Sequence, residues 1–251
     1  MGAIACFTFD NMGEAAEVGR GELAGPRPAG ADPSLVVGYP RVLEMLGKRG
    51  VRATFFVEGW NGEHHAEAVR EIVARGHELG MHGWAHETWS ELAPDVEADV
   101  ARRATVALER AAGVRPRGFR APGGARSERT ARILRELGYE YDASLGDGMR
   151  PSRLAGGLAQ VPFVWPGVDG FHYLRDQPAS PAAVRDAWLA SLERAAARGG
   201  LFLLVCHAFI SGIDEERLAA FDTVVEAALG DPRVRVLTAG EVAQQIPPAC
   251  G

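Results

Sequence analysis

The sequence predicts an α/β fold, a parallel sheet with crossover helices, and three observations carry that prediction. From residue 4 onward, short β-branched or aromatic runs alternate with stretches of helical period. Each helical stretch ends close to the next strand-like run, so the connections on that side are short. No internal repeat, low-complexity tract or break in composition divides the 251 residues, and one domain spanning 1–251 is expected.

Strands are expected at residues 4–9, 52–57, 78–81, 118–120, 139–141, 159–164, 201–206 and 234–237. Over residues 94–112, Val96, Val100, Ala104, Leu108 and Ala111 recur at spacings of three and four, and Pro94 suits a first helical turn. The helix before Gly76 buries Val69, Ile72 and Val73 in the same manner. Ser127 can cap a further helix whose stripe is Ile133, Leu134 and Leu137 and whose end is Gly138. Two stretches rich in glycine and proline, residues 19–33 and 146–157, interrupt the alternation and read as ordered excursions or lids.

Composition narrows the function classes. The net charge is -6 and no basic face stands apart from the surrounding acids, which argues against nucleic acid as a partner. The amino terminus lacks the basic start and long apolar core of a signal peptide. No apolar run approaches the length of a membrane span, so a cytoplasmic protein without a membrane partner is expected. Cys6, Cys206 and Cys250 are odd in number and far apart, which predicts reduced thiols. No exposed apolar helix face marks an oligomeric interface.

The polar residues fall in a pattern. Asp10 closes the first expected strand, His82 the third, Arg120 the fourth and Asp142 the fifth, while His207 follows six apolar residues. Carboxyl ends of parallel strands share one rim, so these residues converge. His82 and His86 stand four apart and can present two imidazoles to one cation, or serve as a surface turn and a satisfied core histidine. Asp10 reads as a catalytic carboxylate or an ordinary cap. Arg120, before a rigid Pro-Gly-Gly turn, reads as a carboxylate clamp or a structural ion pair. His64, His65, His77 and His172 read as surface or structural residues. Trp60, Trp84, Trp89 and Trp165 are candidates for a groove wall or plain core.

Thr8-Phe9-Asp10-Asn11, His82-Gly83-Trp84-Ala85-His86, Arg120-Ala121-Pro122-Gly123-Gly124 and Leu204-Val205-Cys206-His207 occur in that order. Together they resemble the polysaccharide deacetylase family, also called the NodB homology domain or carbohydrate esterase family 4, from about residue 4 to residue 245. The resemblance implies a distorted (β/α) barrel with fewer than eight regular strands. It also implies a hydrolase of amide C–N bonds that removes acetyl groups from N-acetylated sugars or related acylated compounds, so the expected partner is an oligosaccharide or small-molecule substrate.

Carried over residue by residue, the resemblance makes Asp10 the general base, Arg120 the residue that orients it, His207 the general acid, and His82 and His86 ligands of a divalent ion. Zinc is the first expectation, with cobalt, nickel or manganese as alternatives. The family's second aspartate is here Asn11, which offers a neutral oxygen and implies a weaker site. The family's fourth motif has no clean match, which leaves Asp169 as a partner for His207 and Asp142 as structural. Trp84, Pro122, Gly123, Trp165 and Asp169 are the expected substrate-binding residues, and a backbone amide just after Asn11 is expected to share the oxyanion. The segment 161–169 is similar to a subgroup with cytoplasmic-type peptidoglycan deacetylases and an allantoinase. A second reading follows, a hydrolase of a small cyclic or acylated amide with residues 19–33 narrowing its pocket. A third, resting on Asn11, is a binding protein with a degenerate metal site.

Overall fold

The computed structural model describes residues 2–247. Its sheet is built from β1 (Ala3–Asp10), β2 (Thr54–Val57), β3 (Glu78–Met81), β4 (Gly118–Phe119), β5 (Tyr141–Asp142), β6 (Ser152–Arg153), β7 (Ala159–Gln160), β8 (Leu201–His207) and β9 (Val234–Val236). The order is β6-β7-β5-β4-β3-β2-β1-β8, with β9 also on β1, and every pairing except β6 with β7 is parallel. Chain beyond β7 returns to β8 through a single bridge between Val168 and Val205, which draws the two ends of the curled sheet together. The result is a distorted, incomplete barrel of the expected α/β class.

Alternation along β1 explains why the sheet has two apolar faces. Ala5, Phe7 and Phe9 face the helices and join one core with Val42, Leu46, Phe202 and Phe221. Cys6 faces the interior of the curl with Phe56, Tyr141, Leu203 and Val205. Thr8 and Asp10 continue that inward row, so a strand that is apolar at its base becomes polar at its carboxyl end. β8 repeats the device, ending its inward row at His207. Cys6 and Cys206 are buried free thiols, and Cys250 lies outside the described residues.

The long helix spans Pro94–Ala112 as expected and buries Ala104, Leu108 and Ala111 of the expected stripe, but its first turns are rotated by one position. Val96 is 42% exposed, and Glu97 is fully buried in its place. Glu97 accepts hydrogen bonds from Trp89 Nε1 (3.0 Å), Thr130 Oγ1 (2.6 Å) and Ser127 Oγ (2.8 Å), so a satisfied carboxylate occupies a position that apolar periodicity would not assign. Ser127 therefore ties this helix down, and the next helix begins later, at Thr130. Residues 146–157 contain β6 and the antiparallel hairpin into β7, turned by Gly156 and Gly157 at positive φ, which the sequence did not reveal. The stretch 19–33 is held by Arg27 on Glu17 and Asp32. Among the described residues no helix is long and apolar enough to cross a membrane.

Candidate active site

The expected convergence occurs at the carboxyl rim. Asp10, Asn11, His82, His86 and His207 line one cavity of about 270 Å³, and Arg120 lies beneath it with no exposure. Arg120 Nη1 donates to Asp10 Oδ1 at 2.7 Å and to Thr8 Oγ1 at 2.7 Å, while Nε donates to the Ala143 carbonyl at 2.8 Å. The guanidinium also lies 4.3 Å from the Phe56 ring centre and 5.2 Å from that of Phe163. One arginine thus joins β1, β4 and the chain after β5. It fixes one oxygen of Asp10, and the other oxygen is left for the cavity.

The histidine pair is prepared as donors to a cation. His82 Nδ1 is 2.9 Å from the Arg120 carbonyl, so that nitrogen carries the proton and Nε2 keeps its lone pair. Burial pushes the His82 imidazolium down to about 3, so the ring is neutral. Burial lowers His86 as well. The two ring centres are 5.3 Å apart.

Asn11 and His86 are, among the described residues, the two non-glycine residues at positive φ, 58° and 63°. Such backbone persists only where surrounding contacts impose it. Asn11 is held by Tyr39 Oη donating to its carbonyl at 3.1 Å, and its side-chain Oδ1 is buried without a hydrogen-bond partner. An orphaned acceptor beside two neutral imidazoles is the donor set a divalent cation satisfies. Among the described residues no three His, Cys, Asp or Glu side chains form a group that could hold a metal ion, so a third donor beside the two imidazole nitrogens would be this amide oxygen.

His207 is oriented by a carboxylate. Asp169, with no exposure, accepts from His207 Nδ1 at 2.6 Å, from the His207 backbone amide at 2.8 Å, and from Ser211 Oγ at 2.7 Å. With Nδ1 donating to Asp169, Nε2 is the nitrogen left for a substrate. Burial disfavours the imidazolium, but the Asp169 charge and hydrogen bond outweigh it, and the net shift is upward. Asp169 is therefore the partner of His207 and not a substrate contact, because its oxygens are used up internally.

The remaining expected residues divide. Gly123 and Trp165 border the cavity, with Trp165 42% exposed. Pro122 is buried behind the rim against Gly83 and does not reach it. Trp84 is turned onto the helix Pro94–Ala112, where the Arg103 guanidinium sits 3.4 Å from its ring centre. Trp60 and Trp89 are core. Asp142 is structural, accepting from Ser144 Oγ at 2.5 Å and facing Arg126 at 3.2 Å. His65 contacts Glu14, His77 accepts from the Ala53 amide, and His172 meets the Pro166 carbonyl. The amides of Met12 and Gly13 donate to Glu58 and Ser34, so neither is free for an oxyanion. Residues 19–33 are absent from the lining of the cavity, and Gly19 packs against the Ala85 carbonyl of the histidine loop.

Sequence reasoning missed three groups. Thr8 supports Arg120, and its place two residues before Asp10 puts it on the same strand face, a signal that was available. Glu87 accepts from the amides of Trp84 (3.0 Å) and Ala85 (2.9 Å) and so shapes the loop carrying His86. Phe171, Leu174 and Phe209 line the cavity mouth without any periodicity to announce them.

Fold and site together define an incomplete (β/α) barrel with an arginine-clamped aspartate, a carboxylate-oriented histidine and a His-His-amide donor set. The chain belongs to the polysaccharide deacetylase family. A profile described as polysaccharide deacetylase matches residues 25–141. The crystal structure of a putative polysaccharide deacetylase from Mycobacterium smegmatis is 31% identical, with a TM-score of 0.86 over 100% of this chain and 94% of that one. A peptidoglycan deacetylase of Helicobacter pylori is 35% identical over 109 residues, which is 43% of this chain but only 37% of that protein. A crystal structure of an allantoinase shares the fold, at 20% identity and a TM-score of 0.82 over 97% of this chain and 90% of that one.

Proposed function

We propose that this protein, read as one catalytic domain, is a metal-dependent hydrolase that cleaves the amide C–N bond of an N-acetylated sugar or a related acylated compound. The observation that carries this reading is the cavity that gathers an Arg120-held Asp10, an Asp169-held His207 and the donors His82, His86 and Asn11. The likeness to the Helicobacter peptidoglycan deacetylase and the putative Mycobacterium polysaccharide deacetylase supports deacetylation.

His82 Nε2, a nitrogen of His86 and Asn11 Oδ1 would hold the ion. The chemistry that a divalent ion supplies when bound there is polarisation of the amide carbonyl and acidification of the attacking water. Asp10, through the oxygen that Arg120 leaves free, removes a proton from that water as its oxygen joins the carbonyl carbon. His207 Nε2 delivers a proton to the nitrogen as the C–N bond breaks, which yields an amine and a carboxylic acid. Asp169 keeps His207 charged and pointed at the leaving nitrogen. Without this proton the leaving group would be an amide anion.

Metal analysis of the purified protein, with acetate release from N-acetylated oligosaccharides and small amides measured with and without a chelator, tests the proposal. Turnover should vanish on chelation and return with zinc, cobalt, nickel or manganese. Turnover indifferent to chelation would overturn the metal role. Absence of both metal and turnover would favour a binding protein, the reading to which Asn11 lends support.

A further inference from the structure

We infer that the amide hydrolysed here carries an apolar group, aromatic or branched aliphatic, on its amine side, and that Phe171, Leu174 and Phe209 recognise it. The inference rests on the hydrolase reading above and specifies its substrate.

Among the described residues, the cavity's ionisable or amide side chains are Asp10, Asn11, His82, His86 and His207, all of them engaged in the chemistry proposed above. Among the described residues no serine, threonine, tyrosine, arginine, lysine or glutamate side chain lines it. A pyranose ring brings hydroxyls that must find partners when they leave water, and an unpaired one costs as much as a lost hydrogen bond. Among the described residues, the Trp165 indole N–H is the one side-chain group outside those five residues that could receive a hydroxyl here. The volume of about 270 Å³ falls below the roughly 300–1,000 Å³ of drug-sized ligand sites, which suits one small group better than a run of sugars.

The rim is apolar instead. Trp165 is 42% exposed, Phe171 39%, Leu174 66% and Phe209 39%, all lining this cavity, whereas the exposed Val36, Val96, Val106, Val114, Ile213 and Leu229 do not line it. Scattered apolar residues need no explanation, but a cluster around a cavity marks a binding surface. The cluster also has a side. Phe209 lies with its ring centre 5.3 Å from that of His207, and Phe171 and Leu174 belong to the segment whose Asp169 holds His207. His207 is the group that protonates the departing nitrogen, so the apolar wall surrounds the amine half.

The test uses the full chain and N-acetylbenzylamine as the apolar probe, against N-acetylglucosamine oligomers. With the zinc-loaded protein, kcat/KM should favour N-acetylbenzylamine, and Phe171→Ser or Leu174→Ser should lower it about tenfold or more through KM. Val106→Ser, on the outer helix, serves as the control and should leave it unchanged. Equilibrium dialysis of the same probe with metal-free protein gives a readout independent of turnover, and binding should weaken in the same two variants. Acetate release from the oligomers with no binding or cleavage of N-acetylbenzylamine would overturn the inference and leave the hydrolase reading standing. Binding that depends on Phe171 without turnover in any metal would overturn the hydrolase reading and support apolar recognition. Binding unaffected by Phe171→Ser and Leu174→Ser would also overturn the inference.

Discussion

Asp10 and Asn11 are chain neighbours with separable tasks, because Asp10 ends a strand with its side chain inward while Asn11 turns at a φ of 58°. Asp10→Asn should reduce turnover by roughly 10²–10⁴-fold, while metal content, read by elemental analysis, stays near that of the parent. Asn11→Asp should bind the ion more tightly, as competition with a chelator would measure, because a carboxylate replaces a neutral amide oxygen. His207 gives the pH dependence its sign. Its pKa is raised in the fold, and with the imidazolium as the proposed proton donor the rate should fall as pH climbs through that raised value. Asp169→Asn removes the charge that outweighs burial, so the falling limb of the pH–rate profile should move to lower pH.

At the level of elements, the segment His82–His86 is a loop shaped by its neighbours more than by its own residues. The amides of Gly59 and Trp60 donate to the carbonyls of Gly83 and Trp84, each at 2.9 Å, and Glu87 takes the amides of Trp84 and Ala85. Gly83 has φ 75°, and a Cβ there would come within 2.7 Å of the Glu87 carboxylate and 3.1 Å of Pro122. Glu87→Ala should therefore weaken metal affinity by about 10–100-fold, the range for residues that orient ligands, with little change in melting temperature. A large loss of Tm with unchanged affinity would contradict this role. The loop also brings the His82 and His86 rings together while turning Trp84, expected at the groove wall, away onto Arg103. With Gly83 and His86 at positive φ, side-chain direction has no period to read.

For the whole molecule, Arg120 is the residue that most ties function to fold. It is buried, neutralised by Asp10, and bonded to Thr8 and the Ala143 carbonyl, so it knits together strands of an incomplete barrel that closes through one bridge. Replacing it with methionine leaves the carboxylate of Asp10, only 5% exposed, without its partner. The expected cost is about 3–5 kcal/mol, a drop in Tm on the order of 10 °C by calorimetry. Loss of activity without loss of stability would confine Arg120 to orienting Asp10.

The sequence by itself determined the alternation of strands and helices and the end of each strand at which a polar residue stands. Both follow from local hydrophobic period and from the rule that parallel strands share one carboxyl rim. It therefore placed Asp10, His82, Arg120 and His207 on one rim, and the resemblance to the family's motifs added His86 and the roles of all five. Tertiary structure alone decided the rest. Glu97 could take an inward helix position only because Trp89, Ser127 and Thr130 converge on it from other elements. The amides of Met12 and Gly13 were removed from the oxyanion by acceptors 46 and 21 residues away. Phe171, Leu174 and Phe209 form the mouth because two separate short helical segments meet there, and no local pattern encodes a contact between segments about 40 residues apart.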